Sequence, residues 1–293
     1  MERGVKCMVI RRRSGNVVEE STVYVDPNVK PRRNKRKGAT TAEKQEGNEN
    51  SCARRLGRAI NCNFSFGDLW TTPKYDDEGY ARLTAWAEEH RGAEQSMEDA
   101  LIEAAEREGQ NYMRRVAWLL KKKGVQNFRY ILITTDMDGK TGEAVRPHHH
   151  LIAPRISFEE AAKCWTLGTV DYQTLKQQDD YTPLAVYLMR QVRRRPDAKK
   201  YTCSRNLKKP LVNERWAKPG EVLKPDRGGK LVDCNEWQPG RPQYIRFVKQ
   251  GRASGAEDLD QGVSRHGKVG ACAPAGACDK NSSGAPPGEG AGQ

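Results

Sequence analysis

The 293-residue chain has eight cysteines but no CxxC pair and no regular cysteine framework. That spacing argues against a zinc ribbon and suits the reduced thiols of a cytoplasmic protein. No stretch of about 18 apolar residues is present, so no membrane-spanning helix and no membrane partner is expected. The apolar run in the first fifteen residues is too short for a secretory signal. No GxxxxGK[ST] loop is found, which speaks against an attached helicase domain. Acidic residues are the scarcer charge, 38 against 51 Lys and Arg, and leave a net charge of +13. A pI near 9.4 points to a polyanionic partner, because Lys and Arg neutralise phosphates and release counterions. Only 36% of the residues are hydrophobic, so part of the chain is expected to be solvated rather than core.

Composition divides the chain. Residues 1–50 are polar and carry the run Lys30-Pro31-Arg32-Arg33-Asn34-Lys35-Arg36-Lys37. They are expected to be a basic, largely disordered arm, either a plain linker or a segment lying along DNA phosphates. Residues 251–293 are rich in Gly, Ala, Ser and Pro without apolar periodicity, and are expected to be a disordered tail. Between them, residues 51–215 read as a folded domain and 216–250 as a C-terminal extension.

Within that domain, residues 67–75 predict a first strand, with Pro73 marking an edge or a strand end. The apolar spacing of Met97, Leu101, Ala104, Tyr112, Val116 and Leu119 predicts a long helix over 97–123, capped by Ser96 and closed by Gly124. Phe128 to Thr135 predicts a central strand and His148 to Ala153 a third. Ser157 and Glu160 predict a short capped helix. A last helix is expected from Pro183, with Leu184, Tyr187, Leu188, Gln191 and Val192 on one face. This order predicts an α+β fold on an antiparallel sheet.

Five histidines occur in the whole chain, and three of them stand together at His148, His149 and His150. Strand side chains alternate, so His148 and His150 share a face and His149 takes the other. Two imidazoles so placed begin a metal site; a run of surface or internally satisfied histidines is the plainer alternative. Asp136, directly after the central strand, is a third ligand or merely a strand-terminating carboxylate. Glu143 is the other acidic choice. Tyr187 is either an ordinary packed tyrosine or a nucleophile toward a phosphodiester, with Arg190 one turn on to approach a phosphate. Arg193, Arg194 and Arg195 follow, either as a solvated helix end or as a helix end expected to face DNA.

Arg146-Pro147-His148-His149-His150-Leu151-Ile152 resembles the histidine motif of the HUH endonucleases, and Leu184-Ala185-Val186-Tyr187-Leu188-Met189-Arg190 resembles their tyrosine motif. Asn63 to Thr72 resembles the first-strand motif of plasmid and phage replication initiators, and Tyr201 to Leu207 a basic segment of replication proteins from mobile elements. His149, Arg190 and Asp136 stand where the family commonly has a hydrophobic residue, Lys and Glu. The resemblance implies a central five-stranded antiparallel sheet flanked by helices, with 51–215 as the endonuclease domain. It implies a divalent metal, Mg or Mn, on His148, His150 and Asp136, and a covalent 5′-phosphotyrosine at Tyr187 assisted by Arg190. Arg193, Arg194, Arg195, Arg205, Lys208 and Lys209 would bind single-stranded origin DNA, with host helicase and polymerase as later partners. The tyrosine follows the histidines, as in replication initiators. A relaxase or transposase of the same chemistry, or a DNA-binding regulator without enzymatic activity, is the alternative.

Overall fold

The computed structural model describes residues 5–26, 28, 42–192 and 199–249. Over these residues the fold is α+β, with two five-stranded antiparallel sheets and five helices. The basic run at 30–37, Arg193 to Arg195 and the tail at 251–293 lie outside the described residues.

The central sheet has the order β6 (Gly168–Thr174), β3 (Leu69–Tyr75), β5 (Ala144–Ala153), β4 (Ile131–Met137), β7 (Thr202–Cys203). Its middle strands are buried on both faces. Leu132 and Leu151 belong to one core, with residues of helices α2 (Asp77–His90) and α3 (Met97–Lys122). Ile131, Ile133 and Ile152 belong to the other, with α1 (Ala42–Asn63) and α5 (Thr182–Arg190). Each such fully buried aliphatic side chain stabilises the fold by about 1.5–3 kcal/mol relative to exposure. Ser96 caps α3 by accepting from the Asp99 amide at 3.1 Å, as its sequence signature predicts. Ser157 makes no side-chain cap at α4 (Phe158–Lys163), which ends well short of Trp165.

Pro73 lies inside β3, and β3 is an interior strand rather than an edge. The pairing with β5 skips Thr72 and Pro73, whereas that with β6 is continuous. The proline's missing N–H therefore falls where one ladder is already interrupted.

The second sheet has the order β8 (Leu211–Trp216), β1 (Lys6–Ser14), β2 (Val17–Val25), β10 (Tyr244–Lys249), β9 (Gly229–Cys234). The C-terminal extension at 216–250 supplies two of the five strands. The sheet corrects one expectation: residues 6–25 are a hairpin, not a disordered arm. The reason is long-range pairing: Glu19 and Glu20, which make the segment look solvated, are buried against Arg58 and Arg11. Its core is small, comprising Val9, Val18, Leu223, Ile245 and Phe247. The two sheets meet across α1 and the start of α5, where Arg58 binds Glu19 and Arg246 lies 3.3 Å from Asp180.

Among the described residues, no helix is long and apolar enough to cross a membrane.

Candidate functional site

Strand alternation divides the three histidines. His149 is fully buried toward α3, where its Nε2 lies 2.9 Å from the Tyr75 hydroxyl and its Nδ1 3.0 Å from Thr134 Oγ1. Trp165 packs on the ring at 5.3 Å. Gly109 makes room for it: a Cβ there would stand 3.0 Å from His149 Cε1 and 2.9 Å from a Leu132 methyl. Burial pushes the His149 pKa down to about 3, helped by its two histidine neighbours. This residue is a neutral core histidine.

His148 and His150 share the opposite face, their rings 5.1 Å apart and nearly perpendicular. His148 Nδ1–H donates to the Arg146 carbonyl at 3.2 Å, which fixes the tautomer and leaves a lone pair on Nε2. His150 Nδ1 lies 3.3 Å from Thr72 Oγ1, and its Nε2 lies 3.3 Å from Gln191 Oε1. Burial lowers the pKa of His148, and burial with the His148 charge takes His150 down to about 4. Lys74, opposite His148 on β3, adds to both shifts. Both imidazoles are thus neutral at pH 7, the form that ligates a metal.

Gln191, which follows α5, ties this pair to the tyrosine helix. Its backbone carbonyl accepts from the amides of Asp136 and Met137 at 3.3 and 3.1 Å, and its side-chain oxygen offsets part of the burial that lowers the His148 pKa. The Gln191 Nε2 atom is buried with no hydrogen-bond partner.

Tyr187 is one helical turn before Gln191 and is 42% exposed, which overturns its reading as a packed core tyrosine. It lies at the edge of the helix face, whose buried positions are Ala185 and Leu188. The β4–β5 turn borders it: a Cβ on Gly139 would lie 3.1 Å from Tyr187 Cε2 and 3.0 Å from Gln191 Cγ. Tyr181 is the packed one. Its hydroxyl donates to the Lys176 carbonyl at 3.0 Å, and burial raises its pKa to about 12. Arg190 is exposed, three residues beyond Tyr187.

Asp136 stands at a β-bulge between Thr135 and Met137, and its charge raises the His148 pKa, opposing burial. It does not join the two imidazoles in a closed set. Among the described residues, no group of three or more His, Cys, Asp or Glu side chains converges to hold a metal. Glu143 is exposed in the turn. No family model matches the chain, and no curated protein or solved structure is significantly similar to it.

The donor set that does converge is His148, His150 and the Gln191 amide. Two imidazole nitrogens and an amide oxygen are donor types that suit a divalent cation. A cation at His150 Nε2 would replace the proton there, and the Thr72 hydroxyl would then accept from Nδ1–H. Gln191 and Thr72 were not singled out in sequence as site residues. Their signals were present: Gln191 lies four residues after Tyr187, and Thr72 falls on the strand face of Trp70 and Lys74.

Arg205, Lys208 and Lys209 are exposed, in a loop pinned at both ends. Ser204 Oγ accepts from the Tyr130 amide, Asn206 donates to the Asn127 carbonyl, and Asn63 Oδ1 accepts from the Lys208 amide. The loop thus begins at the start of β4, whereas His148 pairs with Thr135 near its end. Five residues at about 3.3 Å each separate those two points by roughly 16 Å.

Proposed function

We propose that this chain is a metal-assisted, single-tyrosine DNA endonuclease and strand transferase of the HUH type, nicking an origin to start rolling-circle replication. The observation that supports it is Tyr187, half-exposed and one helical turn from Gln191, whose amide oxygen lies 3.3 Å from Nε2 of His150 in the neutral His148–His150 pair.

A divalent cation, Mg or Mn, would polarise the scissile phosphate and stabilise its developing charge. His148 and His150 supply ring nitrogens to hold it, and Gln191 an amide oxygen. Tyr187 Oη attacks phosphorus; the Oη–P bond forms as the P–O3′ bond breaks. The phenolic proton passes to solvent at the exposed ring, and the departing 3′-oxygen is protonated to a hydroxyl. The DNA keeps a 5′-phosphotyrosine link, so the reverse transfer needs no nucleotide cofactor. Arg190, on the exposed side of the same helix, can pair with a phosphate oxygen. Arg205, Lys208 and Lys209 hold the strand further along by its backbone. Host helicase and polymerase would then use the opened duplex and the free 3′-hydroxyl, in the cytoplasm.

The test is Tyr187→Phe, which keeps the ring and removes the attacking oxygen. With single-stranded origin libraries and Mg or Mn, the wild type should form a covalent adduct whose tyrosyl-DNA peptide contains Tyr187. The variant should bind the same DNA and form none. An adduct mapped to Tyr181 or Tyr201 would move the nucleophile. No adduct on any strand, with normal DNA binding by histidine variants, would favour a regulator without enzymatic activity.

A further inference from the structure

Across the central sheet from the histidine pair, α3 and α4 border an open cavity of about 610 Å³. Arg114, Arg115, Trp118, Lys123, Glu160 and Lys163 line it, together with Leu119 and Cys164. Four basic side chains face one acid, and that acid, Glu160, is paired with Lys123. Trp118 is 60% exposed on a helix whose Tyr112, Val116 and Leu120 fill the core. Lys122 stands over the indole, 3.9 Å from its centroid, and is not part of the cavity wall. Arg115 is held by its Nε, which donates to the Cys164 carbonyl at 2.8 Å. One of its terminal nitrogens is buried without a hydrogen-bond partner. That nitrogen is shielded from solvent and would reach an anion in the cavity once the guanidinium turned toward it.

We propose that this cavity is a second nucleotide site, taking one nucleoside phosphate with its base on Trp118 and its phosphate on Arg114, Arg115 and Lys163. The volume falls within the usual range of about 300–1,000 Å³ for small-molecule sites. An aromatic platform bordered by cations is the arrangement by which proteins hold nucleotides without reading sequence. The shared chemistry is a base joined to a phosphate, either as a free nucleotide or as one unit of a DNA strand. The site shares no residue with the tyrosine and histidine cluster.

The test uses the full chain in EDTA, titrated with deoxyadenosine monophosphate, a deoxyadenosine hexamer and inorganic phosphate. All measurements are repeated in a His148→Ala/His150→Ala background, which silences the other site. Trp118→Ala should weaken nucleotide binding by about thirtyfold, the middle of the range for loss of one base–aromatic stack. Arg114→Glu/Lys163→Glu should weaken it similarly and flatten its salt dependence. Monophosphate binding that responds in this way assigns a free nucleotide. A response limited to the hexamer assigns a strand. Binding of both probes by Trp118→Ala as by the parent chain overturns the proposal, as does phosphate binding as tightly as the nucleotide. Either failure leaves the Tyr187 reading standing, since Tyr187→Phe is scored on adduct formation alone.

Discussion

The two sheets have the same strand count and the same antiparallel pairing, yet they are held together differently. The central sheet is built from residues 69–203 and is buried on both faces of its middle strands, with a large apolar core on each side. The second is joined from segments at 6–25 and 211–249, has five buried apolar residues at its centre, and depends on charge pairs. Arg11 binds Glu20 and Asp226, Arg58 binds Glu19, and Arg215 binds Glu221. Hydrophobic burial is non-directional and tolerates local error, whereas a buried charge requires its own partner. The proposed catalytic site sits on the first kind of sheet, whose packing fixes side-chain positions.

The largest effect should come from splitting the histidine strand by face. His148→Ala and His150→Ala are each expected to lower metal-dependent cleavage by several kcal/mol in barrier, on the order of a thousandfold. His149→Ala should keep much of the cleavage but lose about 2–4 kcal/mol of stability, from its cavity and the stranded Tyr75 and Thr134 hydroxyls. Cleavage rates beside denaturant midpoints measure both. Equal rate losses in three folded variants would break the division by face.

The second sheet should answer most to Glu19→Gln. Glu19 accepts from the Tyr244 hydroxyl at 2.8 Å and from Arg58 at 3.1 Å. The substitution leaves the guanidinium half-buried and unneutralised, and about 2–3 kcal/mol should be lost. Hydrogen exchange should locate the loss in residues 6–25 and 244–249 and spare β4 and β5. Uniform loss would mean that the two sheets unfold as one unit.

Acid should loosen the two sheets in different windows. His149 has its pKa lowered from 6.5 to about 3, so only the unfolded chain takes up its proton between those values. Its contribution is complete above pH 6.5 and falls as pH drops toward 3, by roughly 2 kcal/mol at pH 5. In the second sheet, Arg11 and Lys249 hold Asp226 at about 2, and Arg215 and Lys218 hold Glu221 at about 2. Their contributions are present above the ordinary carboxylate range and fade only below about pH 4.5. Exchange protection measured at pH 7, 5 and 3.5 should fall first around β5. Simultaneous loss would sink this distinction.

The smallest effects belong to the exposed loop. Lys208→Ala and Lys209→Ala should leave stability unchanged and weaken single-stranded DNA binding uniformly across sequences. Each should reduce the salt slope by about 0.7. Binding isotherms between 50 and 200 mM salt test this, and an unchanged slope would remove these residues from the DNA path.

Much of the central sheet was legible because its signals are local. The long helix, the central strand and the histidine strand each carry their own period; the structure places α3 where its period does, starts β4 three residues later at Ile131, and starts β5 four residues earlier at Ala144. The alternation that separates His149 from its neighbours also needs nothing beyond the strand. The second sheet was not legible in this way, because Glu19 and Arg58 neutralise each other over 39 positions and look like two solvated charges when read singly. One local clue was available in Gly15-Asn16, a two-residue hairpin signature between runs rich in β-branched residues. Within the site, Tyr187 and the histidines came from motifs. Gln191 did not, since a glutamine on a helix face has no distinguishing neighbour until the fold brings His150 to it. Trp118 likewise read as part of a helix, and only its exposure beside Arg114 and Lys163 sets it apart.

The pairing of Thr22 with Gln243, 221 positions apart, bears on how the chain leaves the ribosome. Synthesis at about 5–20 residues per second keeps the first hairpin waiting roughly 10–45 s for its neighbouring strand. During that time β1 and β2 have both outer edges open, a condition that invites pairing with another nascent chain. The charges at Arg11, Arg12, Arg13, Glu19 and Glu20 act in that interval as gatekeepers, keeping the hairpin hydrated until β8 and β10 emerge. The same residues that later lock the sheet first keep it from closing on the wrong partner.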